Sequence, residues 1–278
     1  MAKSDRISPT AYATGYLWHQ HGLSHPGLLP PEGKRVARGF RVVTLATRLL
    51  GGISLDDLML ARHKGIDAIL ARAIEGGRVG QVIEIAAGFS ARGWRITQRF
   101  GERVNYLETD LPPMAAAKRT LLAQSKLAGP RHRVLELDAL ATSGPLSLDA
   151  VAGSLDRKVG TAIITEGLMN YLNPEAARGV WQRIATVLQR FPYGMYLCDA
   201  YFRGEHRSPG TIAFGAILQA FVRGRMHIHF ESPDQAAALM RECGFAQAVL
   251  HTTQSLPETR EHAQTPGGSR VRILEATR

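Results

Sequence analysis

Cysteine is scarce in this chain, acids are outnumbered, and no long apolar run is present. Cys198 and Cys243 are the only two cysteines among 278 residues. They show no C-x-x-C spacing and no neighbouring ligand cluster, which excludes a disulfide framework and a cysteine-built metal site. No apolar stretch reaches the roughly 18 residues that a membrane span requires, and the opening MAKSDRISPTAYATG has no signal-peptide core, so a cytoplasmic location is expected. Against 34 Lys and Arg stand 24 Asp and Glu, a formal charge of +10. Such a balance raises the question of nucleic acid. The cations, however, are scattered in short groups such as Lys34-Arg35-Val36-Ala37-Arg38 and Arg131-His132-Arg133, with no helix-turn-helix, zinc-finger or aromatic-basic pattern. Nucleic acid is therefore not expected, and attraction of an anionic small substrate is the better account of the charge. The oligomeric state is left open.

What is present is the composition of an ordinary globular protein, 45% hydrophobic and 21% charged. Residues 1–52 show little periodicity beyond a helical pattern from Val36 to Leu50 and read as an N-terminal extension over a core domain of residues 53–278. Ser54, with Asp57 three residues on, caps a helix whose apolar positions run through Leu58, Ala61, Ile66 and Ile69 and which Gly76-Gly77 stops. Strand patterns then recur at about 81–86, 104–109, 133–138, 160–165, 194–199, 246–252 and 270–276. Helix signals separate them, among them Pro112-Pro113, Asn173-Pro174-Glu175 and Ser232-Pro233-Asp234. Alternation of this kind means an α/β fold with a seven-stranded, mainly parallel sheet and helices on both faces. A Pro- and Gly-bearing loop between the last two strands permits an antiparallel terminal strand. An apolar helical face at Phe214, Ile217, Leu218, Phe221 and Val222, within a segment of about 201–225, suggests a lid inserted after the fifth strand.

The run Val82-Ile83-Glu84-Ile85-Ala86-Ala87-Gly88-Phe89-Ser90 is a strand that breaks into small residues ahead of a helix. Val104-Asn105-Tyr106-Leu107-Glu108-Thr109-Asp110 is a second strand ending in acids about twenty residues later, the pairing of a nucleoside site. Ala86 and Ser90 depart from G-x-G-x-x-G and weaken a dinucleotide reading, whereas S-adenosylmethionine, which has no phosphates, asks less of the turn. Acids also mark the ends of the later strands, at Asp138, Glu166 and Asp199, where an open α/β sheet forms its ligand crevice.

Five ordered stretches resemble the leucine carboxyl methyltransferase family and its bacterial branch acting on polyketides and other small molecules. They are Ser8-Pro9-Thr10-Ala11, Arg62-His63-Lys64-Gly65-Ile66-Asp67, Ala86 through Arg95, Tyr106 through Pro112 with Lys118-Arg119, and Thr165-Glu166-Gly167-Leu168-Met169-Asn170-Tyr171-Leu172. The family's turn usually reads Gly-x-Gly followed by Asp, and Ala86 and Ser90 depart from it. The resemblance implies a Rossmann-like class I methyltransferase fold, S-adenosyl-L-methionine as cofactor, and methyl transfer to a small molecule, most readily to a carboxylate, enol or phenol oxygen of a secondary metabolite. It also implies that Arg62, helped by Lys64, meets the cofactor's carboxylate, and that Ala86 and Gly88 form the turn beside its methionine portion. Glu84 lies nearby. Glu108 or Asp110 would hold the ribose, Asp138 and the Ala139 backbone the adenine, and Glu166 the amino group. Methylation of a protein C-terminal carboxylate, or binding of the cofactor without turnover, are the alternatives.

Candidate catalytic residues lie on the substrate side. Tyr171 and Tyr201 follow the fourth and fifth strands, and His227 and His229 share one side of an extended segment, where an imidazole could serve as a base. No third metal ligand accompanies the two histidines, so no metal site is expected.

Overall fold

The computed structural model describes residues 9–30, 54–206 and 226–278. The expected helix at 36–50 and the apolar face from Phe214 to Val222, with most of the lid segment, lie outside them. Seven strands form one sheet in the order β3-β2-β1-β4-β5-β7-β6. They are β1 (Gln81–Ile85), β2 (Asn105–Asp110), β3 (His132–Glu136), β4 (Thr161–Thr165), β5 (Gly194–Ala200), β6 (Gln247–Thr252) and β7 (Arg272–Thr277). β1 to β5 pair in parallel, and β7 lies antiparallel between β5 and β6. This is the doubly wound sheet with an antiparallel terminal strand that the sequence led us to expect.

Period-two alternation of apolar residues divides the core between the two faces of the sheet. Val82, Tyr106, Ala162, Ile164, Met195 and Leu197 point to one face, under α1 (Pro9–Gln20), α2 (Leu55–Glu75) and α3 (Arg92–Phe100). Ile83, Leu107, Ile163, Tyr196 and Cys198 point to the other, under α5 (Leu148–Ala152), α6 (Pro174–Leu188) and α7 (Pro233–Glu242). α4 (Pro112–Gln124) covers β3 near the edge. Each leucine or isoleucine buried this way stabilises the fold by roughly 1.5–3 kcal/mol, so packing rather than helix propensity holds these elements. The caps are those that the sequence signals: the Ser54 hydroxyl accepts from the Asp57 amide at 3.2 Å, and Gly76 ends α2. Cys198 and Cys243 are both buried free thiols. No helix among the described residues is long and apolar enough to cross a membrane.

Parallel pairing places the carboxyl ends of β1, β2, β3 and β4 along one rim, and α1 closes over it. Ala13, Leu17 and Trp18 join the same apolar cluster as α2, and Tyr12 packs on Phe89 with ring centroids 5.2 Å apart. The approach is close enough that a Cβ on Gly15 would lie 2.8 Å from the Cβ of Phe89. Gly15→Val should therefore overpack this contact and, after the gain in helix propensity, lower stability by about 1–2 kcal/mol in urea unfolding. Unchanged or increased stability would contradict the packing of α1 on the rim.

Candidate active site

β1 leads into a turn in which Ala86 has φ 57° and Gly88 φ 54°. Glycine adopts this left-handed region freely, but alanine does so at a cost of about 1 kcal/mol, so the turn needs outside support. The Gly88 amide donates to Asp110 Oδ2 at 2.8 Å, the Ala87 amide to the Thr109 carbonyl at 3.1 Å, and the Arg92 amide to Ser90 Oγ at 3.2 Å.

Beneath the turn lies Arg92, whose side chain is fully buried. Its Nη1 donates to Glu84 Oε1, its Nη2 to Glu166 Oε2, and its Nε to Asp67 Oδ1 at 2.5 Å. Arg95 completes Asp67 from the other side at 2.5 Å. His63 stands among them with Nδ1 at 2.8 Å from Glu166 Oε2 and Nε2 at 2.8 Å from Arg95 Nη2. Nδ1 also lies 2.8 Å from Arg92 Nη2, so one ring nitrogen meets both a carboxylate and a guanidinium. Burial, together with Arg92, holds the His63 pKa below its ordinary value. Against the penalty of burial, Arg92, Arg62 and the hydrogen bond from His63 hold Glu166 well below the carboxylate range, and Arg92 and Arg95 do the same for Asp67. Burial instead pushes Glu84 up, although Arg92 opposes it.

Arg62, on the same helix as His63, reaches the end of β4. Its Nε donates to Glu166 Oε1 at 2.9 Å, and its Nη1 lies 3.6 Å from Asp199 Oδ2. Gly167, at φ +66°, leaves room for it: a Cβ there would meet Arg62 Nη2 at 2.9 Å. Asp199 Oδ1 accepts from the Gly167 amide at 2.7 Å. Burial opposes the charge on Arg62, but Asp199, Tyr201 and Glu166 outweigh it and raise its pKa.

The structure thus gathers Arg62, Glu166, Asp110, Ala86 and Gly88 at one rim. Asp138 and Ala139 follow β3 on the same rim; Asp138 Oδ1 accepts from the Leu140 amide at 2.9 Å, and the Ala139 carbonyl accepts from Arg183 at 2.8 Å.

Four sequence expectations need correction. Glu108 shares a strand face with Asp110 but sits one step deeper, fully buried between Lys118 at 2.7 Å and His132 at 3.1 Å. Glu84 is likewise buried, its second oxygen accepting from Tyr106 OH at 2.7 Å. Lys64 points off the opposite side of α2, to Glu261 and His262, because residues two apart on a helix do not share a face. Tyr201 is buried with its hydroxyl against Arg62 and Asp199, so it orients the arginine rather than facing a substrate; burial and Asp199 push its pKa up.

Tyr171 is 41% exposed on the rim. His227 and His229 lie outside any strand, yet their rings do share one side, nearly parallel with centroids 6.3 Å apart. His229 Nε2 is 2.8 Å from the Met169 carbonyl, which only accepts, so this nitrogen carries the proton. Burial holds the His229 pKa below its ordinary value. Among the described residues no group of three His, Cys, Asp or Glu could hold a metal ion.

Sequence reading placed Asp199 among the strand-end acids without a particular role and assigned none to Asp67, Arg92, Leu111 or Leu140. These two leucines are 37% and 49% exposed, against the usual burial of leucine, and follow the acids at the ends of β2 and β3. The signal that could have found them is an apolar residue one or two places after a strand-end acid.

The profile of the family described as leucine carboxyl methyltransferase matches residues 45–185. A candidate S-adenosyl-L-methionine-dependent methyltransferase of Mycolicibacterium gilvum (strain PYR-GCK) is 36% identical over 121 residues, which is 43% of this chain and 38% of that protein. The chain spans about two fifths of the length of the curated relatives it matches. Among solved structures, a DUF574 family protein from Streptomyces avermitilis superposes with a TM-score of 0.65 at 15% identity, covering 96% of both chains. The mitomycin 7-O-methyltransferase MmcR superposes with a TM-score of 0.50 at 16% identity, covering 90% of this chain and 69% of that one. At such identities the likeness is one of fold.

The charge cluster sets a pH dependence. His63 is neutral when folded, so the unfolded chain alone takes up its proton as pH falls below about 6.5, and stability drops. Glu166, Asp67 and Glu108, all held low and Glu108 at about 2, contribute stability that is complete above about pH 4.5 and is lost below it, with Glu84 opposing. Urea unfolding between pH 8 and 3 should show both losses. Stability that is flat or rising from pH 6.5 to 5 would contradict the neutral His63. Arg92→Met, which leaves Glu84, Asp67 and Glu166 without their central partner, should cost about 3–5 kcal/mol at pH 7; a loss under about 1 kcal/mol in the same assay would contradict the cluster.

Proposed function

Because the chain belongs to the leucine carboxyl methyltransferase family, we propose that it binds S-adenosyl-L-methionine at the carboxyl-terminal rim of its sheet and transfers the methyl group to an oxygen of a small molecule. The observation that carries this reading is Arg62, a guanidinium held by Glu166 and Asp199 against a glycine at the end of β4. Its fork suits a carboxylate, and its contact with Asp199, at 3.6 Å, is long enough to yield to a ligand. The remaining residues fit the same group. Asp110, half-buried, already accepts two backbone amides and keeps further lone pairs for ribose hydroxyls. Leu111 and Leu140 offer apolar surface to an adenine, with Asp138 beside them.

When bound, the cofactor supplies an electrophilic methyl on a sulfonium. The protein's task is then alignment, since in-line displacement at that methyl depends on holding the nucleophile at close range. A carboxylate acceptor needs no base. For a phenol or enol, His229 supplies one: with the proton on Nε2 donated to Met169, the basic nitrogen is Nδ1, and its lowered pKa keeps it unprotonated at neutral pH. Tyr171 and His227 line the same side. Relatives described as S-adenosyl-L-methionine-dependent methyltransferases support the methyl transfer, and the 7-O-methyltransferase among the structural neighbours favours oxygen as the acceptor.

Calorimetric titration with S-adenosyl-L-methionine should give saturable binding in the micromolar to submillimolar range, and incubation of cell extract with labelled methyl donor should yield a labelled small molecule. Label appearing only in protein would favour carboxyl methylation of a polypeptide, and binding without any label a non-catalytic role. Arg62→Gln should weaken binding by about 1.5–3 kcal/mol, roughly 10- to 150-fold, while the protein stays folded. An unchanged affinity would remove Arg62 from the site.

A further inference from the structure

Below the turn, on the side away from Arg92, lies a second buried ionic group that the proposed reaction does not use. Lys118, in the middle of α4, is 1% exposed. Its ammonium donates to the Gly88 carbonyl at 3.2 Å and to the Ser90 carbonyl, and forms an ion pair with Glu108 Oε2 at 2.7 Å. Glu108 is fixed in turn by His132 Nε2 at 3.1 Å and by the Gly93 amide at 3.2 Å, the latter in the first turn of α3. The lysine therefore grips the backbone of the turn on both sides of Phe89.

Stability alone does not account for this arrangement. A buried ion pair is often replaced by apolar residues of the same size with no loss, because desolvation cancels the attraction. A methionine in α4 would fill the same space. What it would not do is hold two carbonyls of a turn in which Ala86 sits at φ 57° and Ser90 stands where a family member usually has aspartate.

We propose that Lys118 is a positioning residue: it sets the height of the Gly88–Ser90 backbone against the amino-acid end of the cofactor, and so determines how tightly that end is held. This rests on the reading that S-adenosyl-L-methionine binds at the rim. Lys118 holds the carbonyls at 88 and 90 while Asp110 takes the Gly88 amide, so the peptide units on both sides of the Gly88 Cα are each held. The turn keeps its shape through a side chain rather than through glycine.

The test compares two ligands on the full chain. S-adenosylhomocysteine carries the amino-acid tail, and 5′-methylthioadenosine has the adenosine without it. Lys118→Met paired with Glu108→Gln removes both charges and leaves no buried ion alone, so the fold is preserved; Lys118→Met alone serves as the harsher variant. By calorimetry the double variant should bind S-adenosylhomocysteine at least tenfold more weakly and 5′-methylthioadenosine within threefold of the original chain, with a melting temperature that is unchanged or raised. Equal losses for the two ligands, or no loss for either in a folded variant, would overturn the positioning role. If the original chain binds neither ligand, the cofactor reading itself fails, and the role of Lys118 with it.

Discussion

A single buried guanidinium organises the rim of this sheet. Arg92 bonds to carboxylates from α2, from β1 and from the end of β4, and each of these would be costly to bury without it. By tying Asp67 to Glu166 it locks α2 against the strand ends. That lock brings Arg62, five residues before Asp67 on the same helix, to Gly167 and Asp199. It also neutralises the rim from below, so Glu166 is free to hold Arg62 on its other oxygen. Were Arg92 apolar, α2 would still pack on the sheet through Ile66, Ile69 and Leu70, but Asp67 and Glu166 would lose the partner that joins them.

The N-terminal helix is tied to the same cluster. Trp18 stacks on His63, with centroids 4.2 Å apart and planes inclined by 24°, and a neutral imidazole tolerates this apolar cover. The α1 helix thus rests on the turn through Gly15 and on the charge cluster through Trp18. Removal of α1 would expose both.

The strands were legible because short apolar runs recur between helix signals and acids stand at or just after the ends of β2 to β5, and the Ser54 and Ser232 caps stand where their side chains predict. The placement of Arg62, Asp110 and Glu166 at the rim was legible as well, since strand-end acids and a helix-borne arginine fall where the topology converges. Position along an element was less so. Glu108 and Asp110 lie two residues apart on the same strand face, and only the depth of α4's lysine beneath the turn separates a buried ion-pair member from a rim acid. Lys64 follows Arg62 by two residues and so turns away from the site, a consequence of helical geometry that composition cannot reveal. The Tyr201 hydroxyl is drawn inward by Arg62, a contact between residues far apart in the chain. α1 went unseen because its buried positions, Ala13, Leu17 and Trp18, are too few to make a periodic signal.

The central claim is that the rim of β1 to β4 is where S-adenosyl-L-methionine binds, with Arg62 on its carboxylate. A crystal structure of the full chain with S-adenosylhomocysteine addresses it most directly. The account predicts the ligand's carboxylate on the Arg62 guanidinium, its ribose on Asp110 and its adenine between Leu111 and Leu140. Density for the ligand anywhere else, with Arg62 still closed on Glu166 and Asp199, would contradict it.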